Sequence, residues 1–115
     1  MAIRKNKFGA VKKVYNNTEY HSTKEAKRAM VLDIMLKNNL ISNLQKQVRY
    51  TWEVVHRNIE TGAEFIKKQS YISDFEYTDS IGNHIVEDAK GFRTPEYKRK
   101  KKIMKKIFGI DILET

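Results

Sequence analysis

The sequence predicts an α/β protein in which a mixed β-sheet is flanked by two helices. Two segments begin with helix-capping residues and continue with strong helix formers, starting near Ser22 and Thr94. Between them lie segments of alternating apolar and polar residues, and a short apolar segment follows the second helix. Strands separated from a last strand by a helix favour a mixed sheet with helices packed against it.

An N-terminal β-hairpin and one helix open the chain. Residues 11–15 and 19–20 are β-prone and flank Asn16-Asn17, a plausible turn. Ser22-Thr23-Lys24-Glu25 has the form of a capping box, and residues 26–37 contain no Gly or Pro. At about 100° per residue, one inward-facing stripe is expected to hold Glu25, Ala29, Leu32 and Leu36.

The middle of the chain predicts strands. Residues 47–56 alternate and place Tyr50 and Trp52 on one face. Strand character resumes near Phe65 and continues, with a bend, to Tyr77; residues 78–83 then turn the chain into a strand at 84–90. The aromatic residues of these strands are expected to pack in the core rather than to stack on bases.

Thr94-Pro95 starts the second helix, which is expected to run to about Phe108 and to stop at Gly109. Its predicted apolar arc comprises Tyr97, Ile103, Met104, Ile107 and Phe108. Lys100 falls inside this arc, and residues 110–113 are predicted to form the last strand.

Charge points to a polyanionic partner. Lys and Arg number 23 against 14 Asp and Glu, a net charge of +9. About half of the basic residues lie in the N-terminal segment or between residues 98 and 106. The chain has no Cys and no apolar run near the roughly 18 residues that span a membrane. We therefore expect one domain over residues 1–115, with 1–8 as a flexible basic arm, in a cytoplasmic setting with nucleic acid rather than membrane as partner.

A pair of carboxylates suggests a cation site. Residues i and i+2 of a strand share a face, so Asp88 and Lys90 lie on one side and Glu87 on the other. Pairing of the two strands as a hairpin would bring Asp74 beside Asp88. Two carboxylates can bind a hard divalent cation. Glu87 is expected to pair with a basic group on the opposite face, and the three histidines show no ligand spacing.

These residues resemble the PD-(D/E)xK nuclease superfamily. The resemblance rests on Asp74, on Asp88-Ala89-Lys90, and on the order α-β-β-β-α-β after the hairpin; the first motif reads Ser73-Asp74 in place of Pro-Asp. A compact phage and prophage group within it is also similar in Ser-x-x-Glu from Ser22, Tyr-x-x-Asp-Phe from Tyr71, Glu-Asp-x-Lys-Gly from Glu87 and Tyr-x-x-Lys from Tyr97. Some small nucleases of this type are Holliday-junction or other branched-DNA resolvases. The resemblance covers residues 14–113 and implies a restriction-endonuclease-like αβββαβ core.

The resemblance implies metal-dependent hydrolysis of phosphodiester bonds. Asp74 and Asp88 would bind Mg²⁺ or Mn²⁺, with the backbone carbonyl of Ala89 and with Glu25 as further ligands. Lys90 would orient the attacking water or stabilise developing charge, and Lys100 would contact the scissile phosphate. DNA, branched or duplex, would be bound by the basic residues Arg4, Lys5, Lys7, Lys98, Arg99, Lys102, Lys105 and Lys106.

Other interpretations stay open at this point. Glu25 could serve only its capping box, and Lys100 could be a surface lysine with a buried stem. The chain could be a non-catalytic nucleic-acid-binding protein, or a nuclease of linear DNA or RNA. Symmetric nicking of a four-way junction would need a homodimer, and the sequence leaves the oligomeric state open.

Overall fold

The computed structural model describes residues 13–15, 18–20, 22–89 and 93–115. In these ranges two short strands precede a helix, five strands follow it, and a second helix leads to a last strand. Their bounds are β1 Lys13–Tyr15, β2 Thr18–Tyr20, α1 Thr23–Lys37, β3 Ser42–Lys46, β4 Arg49–Arg57, β5 Glu64–Ile72, β6 Phe75–Thr78, β7 His84–Asp88, α2 Pro95–Phe108 and β8 Ile112–Glu114. The predicted α/β class, the N-terminal hairpin and both helices are confirmed.

A four-stranded mixed sheet forms the centre, in the order β3-β6-β7-β8. Strand β6 is antiparallel to both β3 and β7, whereas β8 runs parallel to β7. A parallel neighbour needs a crossover connection, and α2 supplies it. The candidate Asp88 therefore ends a strand that is paired on both sides.

Each face of this sheet carries a hydrophobic cluster. On one face, Phe75 and Tyr77 of β6 pack with Leu32 of α1. On the other, Val86 of β7 packs with Met104 of α2. Ile85 joins the first cluster and Val86 the second, which confirms the predicted parity of β7.

The long β4–β5 hairpin departs from the prediction of one bent strand over residues 65–77. Strand β5 ends at Ile72 and pairs only with β4 along nine positions, while β6 begins at Phe75 within the central sheet. At the bend, the Ser73 N–H donates to the Val48 carbonyl at 2.9 Å, and the Gln47 N–H donates to the Asp74 carbonyl at 3.1 Å. These bonds satisfy the backbone where the chain leaves one sheet for the other.

Capping residues fix both helices. Ser22 Oγ accepts from the Glu25 N–H at 3.1 Å, and Thr94 Oγ1 accepts from the Tyr97 N–H at 3.1 Å. Gly109 ends α2 with a φ of 69°, a conformation that glycine adopts without a Cβ clash. No helix of the described ranges is long and apolar enough to cross a membrane.

Three predicted buried positions are wrong. Leu36 is 39% exposed, because in the last turn of α1 the neighbouring Met35 packs against the cluster instead. In α2, Ile107 and Phe108 are 51% and 39% exposed, although the Phe108 ring lies 5.3 Å from the Tyr50 ring. Strand β3 was not predicted, since its sequence is mostly polar.

Candidate metal centre

The two predicted carboxylates meet where β6 begins and β7 ends. Phe75 pairs with Glu87 in the register of these antiparallel strands, so Asp74 and Asp88 occupy the next opposed positions. Asp88 is therefore close enough to Asp74 to raise its pKa, by hydrogen bonding and by charge. The Ala89 N–H also donates to Asp74 Oδ2 at 2.8 Å, which fixes the carboxylate against the end of β7.

Burial and like charge act together on Asp74. Burial is the largest cause that raises its pKa, to about 8; the hydrogen bond with Asp88 and the charges of Asp88 and Glu25 raise it further, against the Ala89 N–H. Asp88 itself is fully buried. The Asp74 carboxyl therefore holds a proton near neutral pH unless a positive charge replaces it.

Glu25 lies in the first turn of α1 and is only 3% exposed. Its backbone N–H makes the capping bond to Ser22, whereas its side-chain charge acts on Asp74. A fully buried carboxylate is rare unless it is paired with another group. The structure thus brings Glu25 within electrostatic reach of Asp74, on the inward-facing side of α1 that the helix stripe predicted.

Tyr71 is a site residue that the sequence interpretation missed, because its place in an alternating strand indicated core packing only. The Tyr71 hydroxyl donates to Asp88 Oδ2 at 2.5 Å. Burial, and next this hydrogen bond, raise the pKa of Tyr71 far above its ordinary value. The phenol therefore stays protonated and remains a donor to Asp88. The position of Tyr71 three residues before Asp74, across the bend, was the sequence signal that could have indicated its part in the site.

The donor chemistry of this region suits a hard divalent cation, since Asp74, Asp88 and Glu25 offer carboxylate oxygens. Across residues 22–89 and 93–115, however, no group of three or more His, Cys, Asp or Glu side chains has the arrangement of a metal site. The fit therefore rests on the Asp74–Asp88 pair and on the mutual repulsion of carboxylates that a cation would relieve. Lys90, Arg4, Lys5 and Lys7 lie outside the described residues.

Lys100 stands beside the centre rather than in contact with it. Its Nζ lies 3.2 Å from Oε1 of Glu96, one turn earlier on α2. Lys100 also lines a cleft of about 290 Å³ together with Tyr71 and Tyr97. The side chain is half-buried, as the predicted arc implied, and its charge is matched by Glu96.

The other predicted DNA-binding residues of α2 are exposed. Arg99 donates to Gln69 Oε1 at 3.1 Å, and Lys105 pairs with Asp111 at 2.7 Å. The remaining members of this exposed basic set are Lys98, Lys102 and Lys106.

Glu87 points away from Asp88, as strand parity predicted, and is held by hydrogen bonds on the opposite face of the sheet. This fully buried carboxylate accepts two hydrogen bonds from the Arg28 guanidinium of α1. The Tyr77 hydroxyl donates to it at 2.6 Å and the Thr115 hydroxyl at 2.9 Å. Adjacent acids of β7 thus differ: Glu87 ties α1 to the sheet, whereas Asp88 faces Tyr71 and Asp74.

Comparison with known proteins gives a family without an assigned activity. No curated protein and no solved structure matches the chain. A family model does match it over residues 5–111, nearly the whole sequence. The chain therefore belongs to the family described as "Protein of unknown function (DUF1064)".

Proposed function

We propose that this chain is a metal-dependent DNA endonuclease of the PD-(D/E)xK type, acting on branched DNA in the manner of a Holliday-junction resolvase during phage DNA recombination or processing. The observation that carries the proposal is the opposition of Asp74 and Asp88 where β6 begins and β7 ends, with the buried Glu25 close enough for its charge to raise the pKa of Asp74. In a strongly basic chain, buried carboxylates that lie together at one point are a candidate site for a cation, which would offset their negative charge.

Asp74 and Asp88 would hold Mg²⁺ or Mn²⁺, with Glu25 and the Ala89 backbone carbonyl as further ligands. The bound ion would supply Lewis acidity and lower the pKa of a water ligand. Tyr71 orients Asp88 through its hydroxyl, and the Ala89 N–H orients Asp74. Both bonds limit the rotation of the carboxylates before any ligand arrives.

Lys90 follows directly on Ala89 in the chain and is proposed to orient the attacking water or to stabilise charge on the phosphate. Lys100, next to Tyr71 in the cleft of about 290 Å³, is the proposed second contact to the scissile phosphate. Its ion pair with Glu96 would have to be exchanged for that contact.

A second candidate is a non-catalytic nucleic-acid-binding protein. It is favoured by the lack of a three-ligand arrangement in the described ranges, combined with the exposed basic face of α2. A nuclease of linear DNA or RNA remains a further alternative within the first proposal.

One assay separates these candidates. The purified protein is offered a four-way junction, a Y-fork, linear duplex, single strand and RNA, each with Mg²⁺ or Mn²⁺. We expect cleavage of the branched substrates, and its loss in Asp88→Asn and in Lys90→Ala. Glu60→Gln, which changes an exposed carboxylate of the β4–β5 loop, is the matched control and should cut like the wild type.

Equal cutting of every substrate would remove the resolvase assignment, and cleavage that survives both site variants would remove the site. Calorimetry gives a readout that is independent of activity. Mn²⁺ should bind the wild type and bind much more weakly to Asp74→Asn, while a wild type that binds no Mn²⁺ would support the non-catalytic candidate. Sedimentation would show whether the protein is the homodimer that symmetric nicking requires.

A further inference from the structure

A basic cleft of about 420 Å³ lies between α2 and β8. Four of its lysines, at positions 98, 101, 102 and 105, are spaced by three and four residues and therefore share one face of α2. Ile110 and Ile112 form an apolar part of the wall. The remaining lining residues are Arg93, Asp111 and Glu114.

The cleft begins one strand away from the candidate metal centre. Glu114 is the register partner of Asp88 in the parallel β7–β8 pair. The Tyr97 hydroxyl donates to Glu114 Oε2 at 2.9 Å, while the Tyr97 ring lies 6.5 Å from the ring of Tyr71. A strand of nucleic acid that leaves the centre across β8 would enter this cleft.

The charges of the cleft are only partly compensated. Glu114 Oε1 lies 3.1 Å from the Arg93 guanidinium and 3.0 Å from Lys101 Nζ, and Asp111 lies 2.7 Å from Lys105 Nζ. The lining has five cationic side chains and two carboxylates, an excess of three positive charges. In the cleft beside Tyr71, by contrast, Lys100 is balanced by Glu96.

We propose that this cleft binds the sugar-phosphate backbone of the DNA strand that flanks the scissile bond, an inference that rests on the proposed nuclease function. The eight residues from Lys98 to Lys105 cover about 10 Å of helix axis. Neighbouring phosphates of a B-form strand lie farther apart than their rise of about 3.4 Å along the duplex, because the strand also winds round the axis, so this length faces about two of them. The excess of three positive charges in the lining is sufficient to neutralise these phosphates.

Glu114 has a defined part in this site. It holds Arg93 and Lys101 on the wall nearest the centre, and it competes with a phosphate for the same two cations. Removing its charge should therefore strengthen the binding of DNA, whereas removing lysines from the helix face should weaken it.

The test measures equilibrium binding of a fluorescent duplex and a four-way junction in EDTA, so that cleavage does not interfere. We expect Lys98→Gln with Lys102→Gln to bind more weakly, and the slope of log affinity against log salt to become shallower by about 1.8. The control, Lys37→Gln with Lys68→Gln, removes two exposed lysines elsewhere and should bind like the wild type. Glu114→Gln should bind more tightly than the wild type.

An unchanged salt slope in the first double variant, or equal losses in both double variants, would overturn the cleft assignment. Weaker DNA binding by a folded Glu114→Gln protein would also overturn it. The same holds if the cleft binds inorganic phosphate but replacement of its lysines leaves the affinity for DNA unchanged. The result is separable from the proposed function. If the wild type cleaves DNA but its affinity does not depend on the cleft lysines, only the cleft proposal is contradicted. If affinity depends on these lysines but no substrate is cleaved, only the endonuclease proposal is contradicted.

Discussion

Replacing Asp74 by asparagine should flatten the dependence of stability on pH. In the folded protein the pKa of Asp74 is raised from 3.8 to about 8, mainly by burial and then by Asp88. Between these values the native state holds a proton that the unfolded chain has released. Stability of the metal-free protein therefore falls as pH rises from about 4 to about 8.

The size of the effect follows from the two pKa values of Asp74. Each pH unit inside the window costs about 1.4 kcal/mol. Between pH 5 and pH 8 the wild type should lose about 4 kcal/mol more of its unfolding free energy than Asp74→Asn. Asparagine keeps an oxygen that can accept from the Ala89 N–H, so the change removes the charge and preserves this contact.

The assay is urea unfolding in EDTA at pH 5, 6, 7 and 8. Glu60→Gln is the control, since Glu60 is exposed and its replacement should leave the wild-type profile in place. Mg²⁺ at about 100 times its dissociation constant should restore about 2.7 kcal/mol to the wild type at pH 8. Parallel pH profiles for the wild type and Asp74→Asn would refute the assigned environment of Asp74.

Three further substitutions test local parts of the structure. Tyr71→Phe removes the donor to Asp88 and should lower the unfolding free energy in EDTA by about 2 kcal/mol; an unchanged value would mean that the hydrogen bond is not formed. Thr94→Ala removes the cap of α2 and should cost about 1 kcal/mol in the same assay, with Thr94→Ser restoring most of it. Gly109→Ala places a Cβ at a φ of 69° and should cost about 1 kcal/mol through backbone strain alone, because open space surrounds the added atom.

Local signals were sufficient to predict the helices. Ser22, Thr94 and Gly109 act on backbone groups within three or four residues, so the sequence around them determines where α1 and α2 begin and end. Strand parity is local in the same sense. It placed Glu87 and Asp88 on opposite faces of β7 before their partners were known.

The bend at Ser73–Asp74 could not be predicted in this detail, because its cause is not local. The alternation of residue types continues across it. The pairing partner of the chain changes there from β4, which pairs with β5, to the strands that flank β6 in the central sheet. Strand β3 supplies one of those neighbours, and its polar sequence resembles a loop. The part of Tyr71 in the centre depends on the same bend, which returns the end of β5 to Asp88.

The neighbouring residues Glu87 and Asp88 allow a carboxylate that stabilises the fold to be distinguished from one that serves the proposed activity, within one strand. Glu87→Gln leaves the Arg28 guanidinium facing a neutral side chain in a buried pair and should lower stability by about 3 kcal/mol, with cleavage per folded molecule retained. Asp88→Asn removes a charge that competes with Asp74 and should retain or raise stability in EDTA while it abolishes cleavage and Mn²⁺ binding. Unfolding curves and single-turnover cleavage of the two variants decide the matter. If Glu87→Gln abolishes cleavage without loss of stability, the opposite roles assigned to the two faces of β7 are wrong.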